Sequence, residues 1–134
     1  MSSTTMSDAD IVRAGFESFG RGDLAAFAEL FHPDATWNHR NDDRLGGIHQ
    51  GREGVLAFVA ESGRLSNGTL RAVPEGMLDD GNGRVGMLTH VSASRPDGRT
   101  LDEHQILLFH VEDGHVRSVD QYIGNPAAAR AFWA

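Results

Sequence analysis

The alternation of apolar and polar residues in the C-terminal part of the chain predicts three long antiparallel strands, at 84–95, 99–111 and 115–123. Asp97-Gly98 is typical of a two-residue hairpin turn. Glu112-Asp113-Gly114 favours a three-residue turn in which glycine takes a left-handed conformation. A two-residue second turn is the alternative, and it would turn the third strand over.

These turn lengths determine which side chains share a sheet face. They place His90 opposite Gln105, and Gln105 opposite Gln121. The other members of that face are Leu88, Ser92, Glu103, Leu107, Phe109, Val119 and Ile123. A mostly apolar wall with a few polar groups is typical of a small-molecule pocket, although a solvated sheet face has the same pattern.

Helical spacing of apolar residues dominates the N-terminal half. Ser7 and Asp10 predict a capping box for a first helix, and Asp23 caps a second helix that continues to Phe31. A third helix, which includes Phe58, is predicted at 52–64.

The segments between these helices and the sheet are shorter. A strand at 35–40 carries Trp37 and His39 on one face, and 41–50 is predicted as a polar loop near a pocket mouth. Pro74 and Gly76 indicate an edge strand or a bulge at 69–78.

A short C-terminal helix is predicted from Asn125-Pro126 to Phe132 and Trp133. Helices grouped on one side of an antiparallel sheet predict an α+β fold, here as a single domain over residues 1–134.

Composition excludes several kinds of chemistry. The chain has no cysteine, and all twelve basic residues are arginine, so disulfides, thiolate zinc sites and lysine Schiff bases are ruled out. A net charge of -7 argues against nucleic acid and anionic membranes as partners. No apolar run is long enough to span a bilayer, and Met1–Ser7 has no leader-like pattern, so we expect a cytoplasmic protein.

Three short segments resemble the nuclear transport factor 2-like superfamily, in particular its SnoaL-like and ketosteroid-isomerase-related members. They are Gly22-Asp23-Leu24, Pro33-Asp34-Ala35-Thr36-Trp37 and Gly51-Arg52-Glu53-Gly54-Val55. The resemblance continues through Phe109 to Tyr122 and covers nearly the whole chain. It implies a cone-shaped curved sheet, as in cystatin-like folds, with three N-terminal helices that enclose a pocket.

The catalytic residues of known branches match this sequence poorly. The resemblance places the aspartate base of ketosteroid isomerases at His39, their tyrosine donor at Gly15 and their acidic donor near Leu107. The acid–arginine–acid set of limonene epoxide hydrolases falls on His90, Leu88 and Gln121. Neither the oxyanion hole of the isomerases nor the trio of the hydrolases is therefore expected.

The remaining polar cluster suggests acid–base chemistry. We predict His39 as general base, kept neutral beside Trp37, with His90 as acid or oxyanion donor and Glu103 as an alternative base. The same histidines could instead only satisfy a buried polar wall. The predicted substrate-binding residues are Trp37, Phe58, Leu88, Gln105, Leu107, Gln121 and Ile123. The ligand spacing does not favour a metal triad, so neither a metal nor another cofactor is expected.

The sequence therefore predicts a cofactor-free isomerase, cyclase or dehydratase that acts on a small, largely apolar carbonyl-containing or polyketide-like molecule. The alternatives are a non-catalytic ligand-binding or accessory protein and an epoxide hydrolase-like enzyme with a non-standard site. The resemblance implies a homodimer formed through the outer sheet face. The residues predicted to form that contact are Val91, Ile106, Leu108 and Tyr122.

Overall fold

The computed structural model describes residues 6–134, and in that range it contains four helices and six strands. The helices are α1 (Asp8–Gly20), α2 (Leu24–Glu29), α3 (Gly51–Leu65) and α4 (Pro126–Trp133). The strands are β1 (Phe31–Arg40), β2 (Gly47–Gln50), β3 (Arg71–Asp79), β4 (Arg84–Ser94), β5 (Thr100–Glu112) and β6 (His115–Ile123).

The six strands form one curved sheet in the order β2-β1-β6-β5-β4-β3. Neighbouring strands are antiparallel except β1 and β6, which run parallel. The predicted α+β class with N-terminal helices on a curved sheet is confirmed. Within residues 6–134, no helix is long and apolar enough to cross a membrane. The expectation about a leader concerns Met1–Ser7, of which residues 1–5 lie outside the described residues.

Most predicted helix ends are confirmed, but two details of the N-terminal half were wrong. Ser7 forms the predicted capping box, and Asn125 caps α4. The second helix ends at Glu29, because Phe31 already pairs with Val116 of β6. Part of the predicted loop is strand β2, whose exposed residues gave no periodic pattern before their pairing with β1 was known.

The turn between β4 and β5 has three residues, so the predicted two-residue turn is wrong. Arg95 and Arg99 form the last pair, with the Arg95 amide donating to the Arg99 carbonyl at 2.9 Å. In a two-residue turn over Asp97 and Gly98, the amide of Pro96 would have to donate to the Arg99 carbonyl. Proline has no amide hydrogen, so this turn cannot close. The added residue shifts the pairing of β4 by one position, so each of its side chains lies on the face opposite to the predicted one.

The turned strand changes which residues face the helices. Thr89, not His90, lies opposite Gln105, while His90 and Leu88 lie on the outer face. The residue predicted for a dimer contact, Val91, is buried on the inner face.

The turn between β5 and β6 follows the shorter alternative. Asp113 and Gly114 have φ of 51° and 79°, as a type I′ turn requires. A register shift at His110/Val111 then adds a residue and restores the original facing. Gln121 therefore stays on the inner face, but opposite Leu107 and diagonal to Gln105.

Helix α4 closes one end of the inner face, as its aromatic residues predicted. Phe132 and Trp133 are buried, and two arginines from the β4–β5 hairpin hold the end of the helix. Arg95 and Arg99 donate to the Phe132 carbonyl at 2.9 and 3.2 Å, and both also donate to the main-chain oxygen of Ala134 at 2.8 Å. These contacts fix α4 where Trp133 lines the cavity described below.

Candidate functional site

A cavity of about 100 Å³ lies between the helices and the inner face of the sheet. Apolar side chains from α1, α2, α3 and the sheet form most of its wall. Phe58 of α3 packs against the rings of Trp37 and His39, with centroid distances of 5.4 and 5.7 Å. The predicted pocket residues that line the cavity are Trp37, His39, Phe58, Gln105, Leu107 and Gln121.

Four predicted site residues lie elsewhere. Glu103 and Ile123 are on the inner face, but neither lines the cavity. Placing His90 and Leu88 on the pocket wall was wrong, because the three-residue turn puts both on the outer face. Leu88 is 42% exposed there.

A directional chain of hydrogen bonds crosses the polar part of the wall. The Trp37 indole N–H donates to Gln121 Oε1 at 2.8 Å. Gln121 Nε2 then donates to Gln105 Oε1 at 2.8 Å, and Gln105 Nε2 donates to Glu103 Oε2 at 2.9 Å. Because an indole nitrogen can only donate, it fixes the orientation of both amides in the chain.

His39 contacts oxygen atoms through both ring nitrogens. Nδ1 lies 2.9 Å from Gln121 Oε1, the oxygen that already accepts from Trp37, so Nδ1 carries a hydrogen. Nε2 lies 2.9 Å from Oδ2 of Asp43. An ionised carboxyl can only accept at this contact.

The surroundings of Asp43 favour its ionised form. Burial alone would raise the pKa of Asp43, but hydrogen bonds from His39, Asn41 and the Leu45 amide outweigh it and hold the pKa below its usual value. The Asn41 and Leu45 contacts are 2.7 and 2.8 Å long. His39 and Asp43 therefore form a buried hydrogen-bonded pair, with side chains 2% and 0% exposed.

This arrangement changes what the predicted catalytic residues can do. His39 has no free lone pair here, so its geometry suits a hydrogen-bond donor rather than the predicted general base. Glu103 is buried, and its Oε1 has no hydrogen-bond partner among residues 6–134. An unpaired buried carboxylate oxygen is available to accept a proton or a hydrogen bond.

Sequence reasoning missed Asp43 as a site residue. It lies four positions after His39, in a segment that was read as an aperiodic polar loop. The only available signal was a carboxylate close in sequence to a predicted pocket histidine. Asp42 gives the same signal but is exposed, so the sequence could not choose between them.

The sequence of this chain matches a known domain family over most of its length. Residues 12–119 match the SnoaL-like domain family. The protein belongs to that family, as the sequence predicted.

Individual relatives agree with this assignment. The uncharacterised protein Rv0034 of Mycobacterium tuberculosis is 31% identical over 131 residues, covering 98% of this chain and 99% of that protein. The structure of Bal32a from a soil-derived mobile gene cassette superposes with a TM-score of 0.91 at 31% identity, covering 95% and 96% of the two chains. TerC, co-crystallised with polyporic acid, gives a TM-score of 0.81 at 21% identity over 93% and 96% of the chains, a likeness of fold alone.

Proposed function

We propose that the protein is a cofactor-free acid–base enzyme that acts on a small, largely apolar carbonyl compound bound in the inner cavity. One observation carries the proposal: the Trp37 and His39 N–H groups converge on a single oxygen position, at 2.8 and 2.9 Å. Gln121 Oε1 occupies that position in this structure. A substrate carbonyl oxygen would take its place when the Gln121 side chain rotates away.

Two convergent donors stabilise negative charge that develops on a carbonyl oxygen, and the effect is strong in a site that excludes water. Here the ring of one donor, His39, is held in place by Asp43, whose Oδ2 lies 2.9 Å from Nε2. Removal of a proton from the carbon next to the carbonyl places the electron pair on that oxygen as an enolate. In an unsaturated ketone, return of the proton to the far carbon of the conjugated dienolate gives isomerisation. Attack of the enolate carbon on a second carbonyl of the same molecule, with return of the proton to the new alkoxide, gives aldol-type cyclisation.

Glu103 is our proposed base for this proton transfer. It does not line the cavity, so a shift of the Gln105 side chain, which lines the cavity and donates to Glu103, is part of the proposal. Glu103 lies two residues from Gln105 on the same face of β5, and Oε1 has no partner in residues 6–134. The proton leaves the substrate carbon and forms an O–H bond on this carboxylate. A base in this role typically contributes about 10²- to 10⁴-fold to the rate.

The size of the cavity limits the substrate. An engineered protein cavity of about 150 Å³ holds benzene, so about 100 Å³ accommodates a ligand no larger than one small ring. A polycyclic molecule would require α4 or the 41–46 segment to move. The proposed substrates are therefore small cyclic or branched ketones.

Non-catalytic binding of the same ligands is the second candidate function. It is favoured by the full engagement of the His39 ring nitrogens and by the absence of Glu103 from the cavity wall. Both candidates use the Trp37 and His39 donors, and only the enzyme needs Glu103.

One experiment with two readouts separates these functions. Binding of phenol, whose ionised oxygen mimics that of an enolate, is followed by its ultraviolet absorbance, and exchange of the α-hydrogens of cyclohexanone in D₂O is followed by NMR. We expect Trp37→Phe and His39→Gln to weaken binding of the phenol by about tenfold or more. Trp133→Phe changes another aromatic residue of the wall and serves as the matched control.

Glu103→Gln is expected to keep phenol binding and abolish catalysed exchange. Phenol binding without exchange by the unaltered protein would support the non-catalytic function. Equal binding by the Trp37→Phe, His39→Gln and Trp133→Phe variants would overturn the assignment of the donor pair, and both functions with it.

We also propose that the chain forms a homodimer through the outer sheet face. The corrected register places Leu88, Ile106 and Tyr122 in one cross-strand row. Their exposed fractions are 42%, 51% and 43%, an apolar row suited to a self-complementary contact. Ile106→Asp should convert dimer to monomer in sedimentation experiments, and a monomeric unaltered protein at micromolar concentration would refute the proposal.

A further inference from the structure

A second cluster of histidine and carboxylate side chains lies on the outer face, on the other side of the sheet from the cavity. The register pairs His90 of β4 with His104 of β5, and their rings stack with centroids 5.0 Å apart. Glu75 comes from β3, where the pairing register shifts between Pro74 and Gly76. One ligand atom from each of Glu75, His90 and His104 lies within 4.8 Å of the others.

We propose that Glu75, His90 and His104 form a binding site for a divalent transition-metal ion such as Zn²⁺. Imidazole nitrogen and carboxylate oxygen are the donor types that zinc takes from proteins when no thiolate is present. Three protein ligands leave a fourth position for water or another ligand. This site is separate from the proposed acid–base reaction, which uses the opposite face.

The distances suit such an ion after small side-chain rotations. Bonds of about 2.0 Å in a tetrahedral site put neighbouring ligand atoms about 3.3 Å apart. Each oxygen of Glu75 faces one histidine ring, and one of the two oxygen–nitrogen distances is shorter than about 3.3 Å while the other is longer. Oε1 lies 2.7 Å from His104 Nε2, and Oε2 lies 3.9 Å from His90 Nδ1.

A fourth residue orients one of the ligands. Asp102 Oδ1 lies 2.6 Å from His90 Nε2. A hydrogen bond to the carboxylate places the ring hydrogen on Nε2 and leaves the Nδ1 lone pair directed at Glu75. Carboxylates that orient ligating histidines in this way are typical of zinc sites.

The backbone supports the arrangement because all four residues lie on paired strands. His90 and His104 are fixed opposite each other by the β4–β5 ladder, and the extra residue of the β3 bulge brings the Glu75 carboxylate towards them. Sites on such elements hold their ligands more precisely than sites on loops.

Isothermal titration of the tag-free protein with ZnCl₂ in a non-chelating buffer tests the proposal. We expect saturable binding of one ion per chain. His104→Ala and Glu75→Gln should each weaken it by at least about tenfold. His115→Ala removes an exposed histidine at the start of β6 and should bind as the unaltered protein does.

NMR of the histidine rings provides an independent readout. Zn²⁺ should shift the ring signals of His90 and His104 and leave those of His39 unchanged. No saturable binding, equal affinity of the His104→Ala and His115→Ala variants, or a shift confined to other histidines would each overturn the proposal.

Discussion

Histidine and aspartate form close pairs on both faces of the sheet, but the two pairs differ in their exposure to water. On the inner side, His39 Nε2 lies 2.9 Å from Asp43 Oδ2, and the two side chains are 2% and 0% exposed. His90 and Asp102 are 2.6 Å apart on the outer face, with side chains 36% and 74% exposed. The shorter pair is the one that water screens. Burial, and not distance, therefore ranks the two pairs in energy.

The largest expected effect comes from breaking the inner pair. Asp43→Ala leaves His39 Nε2 without its buried partner and removes acceptors from Asn41 and the Leu45 amide. Loss of one partner of a buried pair typically costs about 3–5 kcal/mol in the free energy of unfolding. Urea unfolding measures this change. Asp42→Ala alters the exposed neighbour and should stay within about 0.5 kcal/mol of the unaltered protein.

Acid should remove the same stabilisation gradually. The groups that face the Asp43 carboxyl, His39, Asn41 and Leu45, lower its pKa in the folded state. Its contribution is complete above the ordinary pKa of aspartate and is lost as the pH falls through the lowered value. The difference in unfolding free energy between the unaltered protein and Asp43→Ala should therefore shrink with acidification. A constant difference across that range would show that Asp43 acts without its charge.

Glu103→Gln should raise the free energy of unfolding, whereas Asp43→Ala lowers it. The buried carboxylate accepts one hydrogen bond from Gln105, and its second oxygen has no partner in residues 6–134. An amide can keep the bond from Gln105 without a buried charge, so we expect about 1 kcal/mol of added stability. Thermal unfolding measures this gain. Destabilisation by this substitution would indicate that the carboxylate is structural.

The outer pair should contribute least. Asp102→Ala removes the contact with His90, and water screens exposed pairs, so they contribute little to stability. Urea unfolding without added metal should place this variant close to the unaltered protein. An effect as large as that of Asp43→Ala would refute the ranking by burial.

The sequence predicted the elements of the fold better than their register. Capping residues and periodicity located the helices, and Trp37 and His39 were correctly placed on one buried face. The predicted register of β4 was wrong. Asp97-Gly98 favours a two-residue turn, but Pro96 cannot supply the amide hydrogen that would close that turn. The bulge at His110/Val111 has no distinct sequence pattern, although it determines where Gln121 points.

The candidate site was predictable only in part, for a related reason. Periodicity identifies residues of the regular strands, which is how Trp37, Gln105 and Gln121 were found. Asp43 lies in a turn, and its position depends on the hairpin that β1 forms with β2. The hydrogen bond between His39 and Asp43 therefore could not be predicted, and the role of His39 as general base stays a prediction.

Gln121 occupies the position where a substrate oxygen would bind, and this makes the side chain an internal competitor. If the state with Gln121 in place is favoured by about 1.4 kcal/mol, every ligand binds about tenfold more weakly than its intrinsic affinity. A neutral ketone oxygen forms hydrogen bonds with these donors that are little stronger than those of the amide oxygen it displaces. An oxygen that carries negative charge gains much more from the Trp37 and His39 donors. The competition therefore selects for charge on the oxygen, so that the site discriminates against the ground state of a substrate more than against its enolate.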